Sequence, residues 1–145
     1  MHITDELIKK YSRRSTKGLD AELWRLMSLW VRQRQTDHRG VGRCVTCGEF
    51  RHWRHMDAGH YMSRRHMSTK FHELNVHPQC KKCNGPEGGG EPEKMARFID
   101  HAFGPGTAQH LEVLSKQTFH WSRFDYIQLI ESYKAKLKEH KYEIR

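Results

Sequence analysis

An α+β fold follows from three features of this 145-residue chain: two widely separated Cys-x-x-Cys pairs, short strand-like segments between them, and apolar residues at helical spacing on either side. The pairs are Cys44 with Cys47 and Cys80 with Cys83, separated by 32 residues. Two closely spaced thiol pairs make a tetrahedral S4 site, the usual closed geometry of structural Zn²⁺. Two disulfides of a secreted domain are the alternative, but the x2 spacing and the lack of an export signal favour reduced thiolates on zinc. The chain reads as one compact domain in three parts: a basic helical extension over 1–43, a zinc-bound core over 44–90 and a C-terminal helical extension over 91–145.

Each element has a local reason. Thr4 followed by Asp5 and Glu6 predicts the start of a short helix through Leu7, Ile8 and Tyr11. Arg13, Arg14 and Lys17 then form a basic linker. Leu19, Leu23, Leu26, Met27, Trp30 and Val31 recur at helical spacing, so Leu19 to about Gln33 reads as an amphipathic, core-packing helix with Asp20 near its start. Glycines around the first cysteine pair predict a tight knuckle over Gly40 to Gly48. Segments from about Trp53 to His60 and from about Glu73 to Pro78 read as two strands of a hairpin with a basic loop between them. Cys80 to Asn84 opens a helix that Gly85-Pro86 stops. Gly88-Gly89-Gly90 reads as a flexible loop, since no Gly-Lys-Ser/Thr follows to make a phosphate cradle. Pro92 fits a first-turn position, with Met95, Phe98, Ile99 and Phe103 on one face and Gly104-Pro105 as the stop. Thr107 to about Lys116 carries Leu111 and Leu114. Ser122 caps a last helix through Ile127, Ile130, Tyr133 and Leu137, and Lys134, Lys136, Lys138 and Lys141 suit its C-terminal end.

The chain is 36% hydrophobic with a mean hydropathy of −0.92, so its core is modest and a tetrathiolate metal would add stability that burial alone does not supply. No apolar run approaches the roughly 20 residues of a membrane span, and the N-terminus lacks a signal-peptide core. A soluble, cytoplasmic protein is the expectation. The net charge of +9 is uneven. Ten Lys/Arg face five Asp/Glu over residues 1–43, seven face three over 44–84, and nine face nine over 85–145. The basic excess thus coincides with the N-terminal arm and the cysteine region, as a nucleic-acid footprint does. Arg25, Arg32 and Arg34, partly off the apolar stripe, either touch DNA or are solvated. Arg64, Arg65, Lys70, Lys81 and Lys82 are phosphate-contact candidates as a group.

Knuckle, hairpin and a helix carrying the second cysteine pair form a treble-clef arrangement, which sets the hairpin beside the helix start. His60 and Asn84 then have a common cation to face. A neutral imidazole can take a proton from water, and an amide oxygen suits Mg²⁺ or Mn²⁺. Asn75 lies between them in sequence. The order His60, Asn75, Asn84 around the four cysteines resembles the HNH, or ββα-metal, nuclease motif. More closely, Cys-Val-Thr-Cys-Gly, Asp-Ala-Gly-His-Tyr and Asn-Val-His-Pro-Gln-Cys-Lys-Lys-Cys-Asn resemble the phage lambda NinG (Rap) recombination family over roughly two thirds of the chain.

The resemblance implies a metal-dependent DNA endonuclease that hydrolyses phosphodiesters in branched recombination intermediates such as Holliday junctions and D-loops. His60 matches the general base, Asn84 the helix ligand of the catalytic metal, and Asn75 the central Asn that orients the hairpin loop or the base. One departure stands out: many such motifs carry an Asp immediately before the base histidine, and here that residue is Gly59. Asp57, on the same strand face as Gly59, and His77, on the opposing strand, are the candidates to complete the metal site. Nonspecific nicking, or a non-catalytic zinc-stabilised DNA-binding accessory protein, are the alternatives. The implied setting is a phage or prophage protein in the host cell, working with phage or host recombination proteins. Symmetric resolution of a four-way junction needs two active sites, which predicts a homodimer.

Overall fold

Helices occupy both ends of the chain and short strands its middle, in an α+β arrangement. The computed structural model describes residues 2–145. In chain order the elements are α1 (Asp5–Lys10), α2 (Thr16–Gln33), β1 (Val41–Arg43), β2 (Phe50–His52), β3 (Met56–His60), α3 (Met67–Lys70), β4 (Val76–Cys80), α4 (Lys81–Asn84), α5 (Pro92–Phe103), α6 (Thr107–Ser115) and α7 (Arg123–Glu139). The chain divides into two compact units, Met1–Trp30 with His120–Arg145, and Val31–Phe119. No helix among the described residues is long and apolar enough to cross a membrane.

In the unit formed by the chain ends, caps set the helix boundaries. Thr4 Oγ1 accepts the Leu7 amide at 3.2 Å and opens α1. The helix α2 starts three residues before the apolar stripe because Ser15 Oγ accepts the Gly18 amide at 3.0 Å, a cap the hydrophobic periodicity does not reveal. Ser122 and Asp125 make a reciprocal capping box at the head of α7. Leu19, Leu23, Leu26 and Met27 of α2 and Tyr126, Ile127, Ile130, Tyr133 and Leu137 of α7 are buried. Arg123 donates to the Arg14 and Tyr11 carbonyls, and the Tyr126 hydroxyl donates to Asp20. Arg25, exposed on α2, donates to the Glu22 carboxylate and the Ile144 carbonyl.

In the central unit, β1 pairs antiparallel with β2 and β3 pairs antiparallel with β4. The predicted strands are shorter at their starts: Trp53–His55 and Glu73–Asn75 are 3₁₀ turns, each opened by the preceding histidine, whose Nδ1 accepts the amide two residues on. The β3–β4 register sets Asp57 opposite Gln79, Gly59 opposite His77 and His60 opposite Val76. Met95 and Ile99 of α5 and Ala108 and Leu111 of α6 form a buried cluster against which Val45, Tyr61, Leu74 and Phe98 pack. The glycine stretch is not the loose loop its composition predicts. The Gly88 amide donates to the Lys82 carbonyl and the Gly90 amide to the Cys83 carbonyl. A Cβ on Gly88 would lie 2.4 Å from the Cys83 carbonyl oxygen, so only glycine lets the chain wrap α4 this closely.

Candidate metal centre and hydrolytic site

The first cysteine pair sits in the turn between β1 and β2, where the Cys44 amide donates to the Glu49 carbonyl and the Gly48 amide to the Cys44 carbonyl. Gly48 has φ +81°, the left-handed conformation that glycine adopts freely. The Val45 amide donates to the Pro78 carbonyl at 3.1 Å and brings this knuckle onto β4. Cys80 ends β4 and caps α4, its Sγ accepting the Cys83 amide at 3.4 Å. All four Sγ atoms lie within 4.8 Å of one another, and Cys47 and Cys80 are 3.8 Å apart. Ligands about 2.3 Å from a tetrahedral zinc lie about 3.8 Å from each other, so the set fits a structural metal such as Zn²⁺. Burial pushes the Cys83 thiol up to about 12. Burial acts the same way on Cys44, but the Thr46 hydroxyl and surrounding backbone amides outweigh it and hold that thiol down to about 6. A metal entering the cluster thus meets one thiol already inclined to ionise and must displace protons from its neighbours.

Next to the thiols, β3 and α4 converge. Asn84 Nδ2 donates to Asp57 Oδ2 at 3.1 Å, and Lys81 Nζ lies 2.8 Å from Asp57 Oδ1. Partial burial pushes the Asp57 carboxyl up, but the hydrogen bonds from Lys81 and Asn84 win and hold it below its ordinary range. Gln79, fully buried, reaches the same place from β4. Its Nε2 donates to Thr46 Oγ1 at 3.1 Å and to the Gly90 carbonyl at 3.0 Å. A carboxylate beside two amide side chains is a hard-oxygen set of the kind that Mg²⁺ or Mn²⁺ takes. Sequence reasoning gives Gln79 no role, because the strand it predicts from about Glu73 to Pro78 stops one residue short of it, while β4 runs on to Cys80.

The odd spacing of three residues puts His60 on the opposite face of β3 from Asp57, not across from Asn84 as the motif order suggests. His60 Nε2 lies 2.9 Å from the Lys70 carbonyl. A carbonyl only accepts, so Nε2 carries the proton and Nδ1 the lone pair. Burial, aided by the charges of Arg64 and Lys70, pushes His60 down to about 4 against that hydrogen bond, so the ring is neutral near pH 7.

Asn75 is fully buried and staples the segment that presents Lys70. Its Oδ1 accepts the Met62 amide at 2.7 Å, while Nδ2 donates to the Met62 and Thr69 carbonyls at 3.0 Å each. Replacing Asn75 with alanine strands buried backbone groups and should cost about 3 kcal/mol, read as a lower urea midpoint.

His77 stands apart from the oxygen cluster. Nε2 lies 2.7 Å from the Leu74 carbonyl, Nδ1 3.3 Å from Arg34 Nη2, and the ring stacks on Phe103 and meets Phe98 edge-on. Both ring nitrogens are engaged, which leaves no lone pair for a cation. Arg34 is correspondingly committed to His77 and the Val76 carbonyl, and Arg32 lies over the Trp53 ring. Burial, with Arg34 adding to it, pushes His77 down to about 4. A lowered folded-state value means that the unfolded chain binds the proton first, so stability is full above about pH 6.5 and is lost as pH falls toward 4. Between pH 7.5 and 5 the wild type should lose about 2 kcal/mol more than His77→Gln does, measured by urea unfolding of both.

Of the phosphate-contact candidates, Arg64, Arg65, Lys81 and Lys82 are exposed, while Lys70 is half-buried with its ammonium over the Phe71 ring. Lys81 pairs with Asp57 and Lys82 lies 3.9 Å from Glu87.

A small α+β chain whose clustered cysteines can hold a metal beside a carboxylate–amide pair is the class that these elements define. A family model described as Bacteriophage Lambda NinG protein matches residues 4–143, almost the whole chain, and the chain belongs to that family. Comparisons with curated proteins and with solved structures gave no match.

Proposed function

We propose that the chain is an HNH-type, metal-dependent DNA endonuclease that cuts branched recombination intermediates, with β3, β4 and α4 as a ββα-metal element clamped by a treble-clef Cys₄ zinc. The observation that carries this reading is the convergence of Asp57 on β3 with Asn84 on α4, one residue beyond the thiol cluster and three before the neutral His60. Membership of a phage recombination-related family supports the same reading.

The chemistry follows from the residues. For this reaction the scissile phosphate must meet Asp57 on one face of β3 and His60 on the other, both of which are only partly buried. His60 Nδ1 accepts a proton as water attacks phosphorus, the P–O3′ bond breaks, and the leaving 3′ oxygen takes a proton from solvent water, so that a 5′-phosphate and a 3′-hydroxyl result and His60 then returns its proton to solvent. The Lys70 carbonyl holds Nε2–H and thereby fixes the ring's orientation and tautomer. The incoming phosphate charge stabilises the imidazolium and lifts the basicity of His60 toward neutrality. Asp57 and Asn84 would hold a Mg²⁺ or Mn²⁺ ion, which when bound neutralises charge on the phosphoryl group and the leaving oxygen. Arg64, Arg65 and Lys82 supply sequence-independent phosphate contacts, and two copies of the chain serve the two strands of a junction.

The test is cleavage of end-labelled four-way junction, flap and linear duplex DNA in Mg²⁺ or Mn²⁺. The expected result is cutting of branched DNA ahead of linear duplex. Equal cutting of all three assigns nonspecific nicking. Binding without cutting under any divalent ion assigns an accessory DNA-binding protein.

A further inference from the structure

The chain has Gly59 where a carboxylate commonly stands, and the structure shows what fills that space. A Cβ built on Gly59 would lie 1.9 Å from Gln79 Oε1 and 3.0 Å from Asn84 Oδ1. Two amide oxygens, one from β4 and one from α4, therefore flank the Gly59 α-carbon in the room a side chain there would take. The orientation of the Gln79 amide is fixed: Nε2 must face the Gly90 carbonyl, which can only accept, so Oε1 must face Gly59. That oxygen is buried and has no hydrogen-bond partner among the described residues. A buried acceptor without a donor is an unfavourable arrangement that calls for an occupant. A water would satisfy it only with donors of its own to spare; a cation suits an oxygen that shares this space with the amide oxygen of Asn84, whose amide nitrogen donates to the Asp57 carboxylate.

We infer that Gln79 Oε1 is a ligand of the divalent cation, joining Asp57 and Asn84 and taking the place of the carboxylate that Gly59 cannot supply. This rests on the cation site proposed above. The absent side chain at Gly59 and the inward-facing amide of Gln79 form a complementary pair: either a carboxylate projects from β3 or an amide crosses from β4, and the space admits one of them. The same amide grips Thr46 between Cys44 and Cys47, and the carbonyl of Gly90 over α4. Thr46 Oγ1 in turn lies 3.4 Å from Cys44 Sγ, so the thiol cluster and the oxygen site share one positioning side chain.

Mn²⁺ binding to the zinc-loaded full chain, followed by loss of the free-ion electron paramagnetic resonance signal, tests the assignment without reference to cleavage. Zinc content and circular dichroism establish that each variant is folded. Gln79→Leu should weaken Mn²⁺ binding at least about tenfold. Gly59→Ala, which leaves every atom of Gln79 in the chain but pushes its oxygen aside, should weaken it similarly and stands in if Gln79→Leu does not fold. Gly59→Asp combined with Gln79→Ala should recover most of the loss, because the carboxylate from β3 then occupies the vacated space. Wild-type affinity in folded Gln79→Leu, or a double variant no better than Gln79→Leu, overturns the assignment. Asp57→Asn separates the two levels. If it weakens Mn²⁺ while Gln79→Leu does not, only the role of Gln79 falls. If neither changes Mn²⁺ affinity, the cation site falls and Gln79 with it.

Discussion

Cys44→Ser should strip the chain of stoichiometric zinc and abolish cooperative melting of the Val31–Phe119 unit. Apparent binding energies of structural Zn²⁺ in thiolate sites are on the order of 10–16 kcal/mol, against a total stability of about 5–15 kcal/mol for an ordinary domain. Little in the central unit replaces such a term. Its strands are three to five residues long, its sheets have two strands each, and one of its buried clusters holds four residues, all from α5 and α6. Among the four thiols Cys44 is the most telling choice, because it is buried and is the one held down to about 6 by its surroundings. Serine preserves shape while removing the soft thiolate, so packing alone should not account for the loss. Metal content by mass spectrometry and thermal melting by circular dichroism, with and without a chelator, check this outcome. A chelated wild type that melts unchanged would show that the cysteines are not a structural metal site.

His60→Ala should slow DNA cleavage by about 10²–10⁴-fold while leaving junction binding near wild type. The ring contacts the Lys70 carbonyl, so its removal frees one acceptor on a half-buried residue and disturbs the fold far less than loss of Asn75 does. The pH dependence carries a second signature. In the free protein His60 is pushed down to about 4, so the acid limb of kcat/KM should lie near there, and the acid limb of kcat should lie higher because bound phosphate favours the imidazolium. Rates measured from pH 4.5 to 8.5 should show kcat falling on the acid side while kcat/KM, whose limb lies below that range, stays nearly flat. Coincident limbs near the ordinary histidine value would contradict a buried base.

Much of this architecture is legible in the residues, and what is not has a physical reason. Apolar periodicity places α2, α5 and α7 because burying a stripe is a local pattern with a global purpose. The 3₁₀ turns at Trp53–His55 and Glu73–Asn75 are hidden by strand-like composition, and only the His52 and His72 caps explain them. Gly88 to Gly90 read as loose because glycine permits freedom, whereas here it permits close approach to Cys83. His77 has a ligand's side chain, yet Phe98 and Phe103, distant in sequence, close over it and Arg34 occupies its second nitrogen. Parity along β3 already separates Asp57 from His60, so their opposite faces are readable without coordinates. Gln79 is the reverse case. A polar residue in a strand suggests a solvent-facing position, and its complete burial depends on the missing side chain of Gly59 across the sheet.

The most direct measurement places wild-type and His60→Ala protein, both zinc-loaded, on the same end-labelled four-way junction, with binding and cleavage recorded together with and without Mg²⁺ or Mn²⁺. The expected result is that both bind, that the wild type cuts only when the divalent ion is present, and that the variant leaves the DNA intact. A variant that cuts at the wild-type rate, or a wild type that binds and never cuts, would contradict the account.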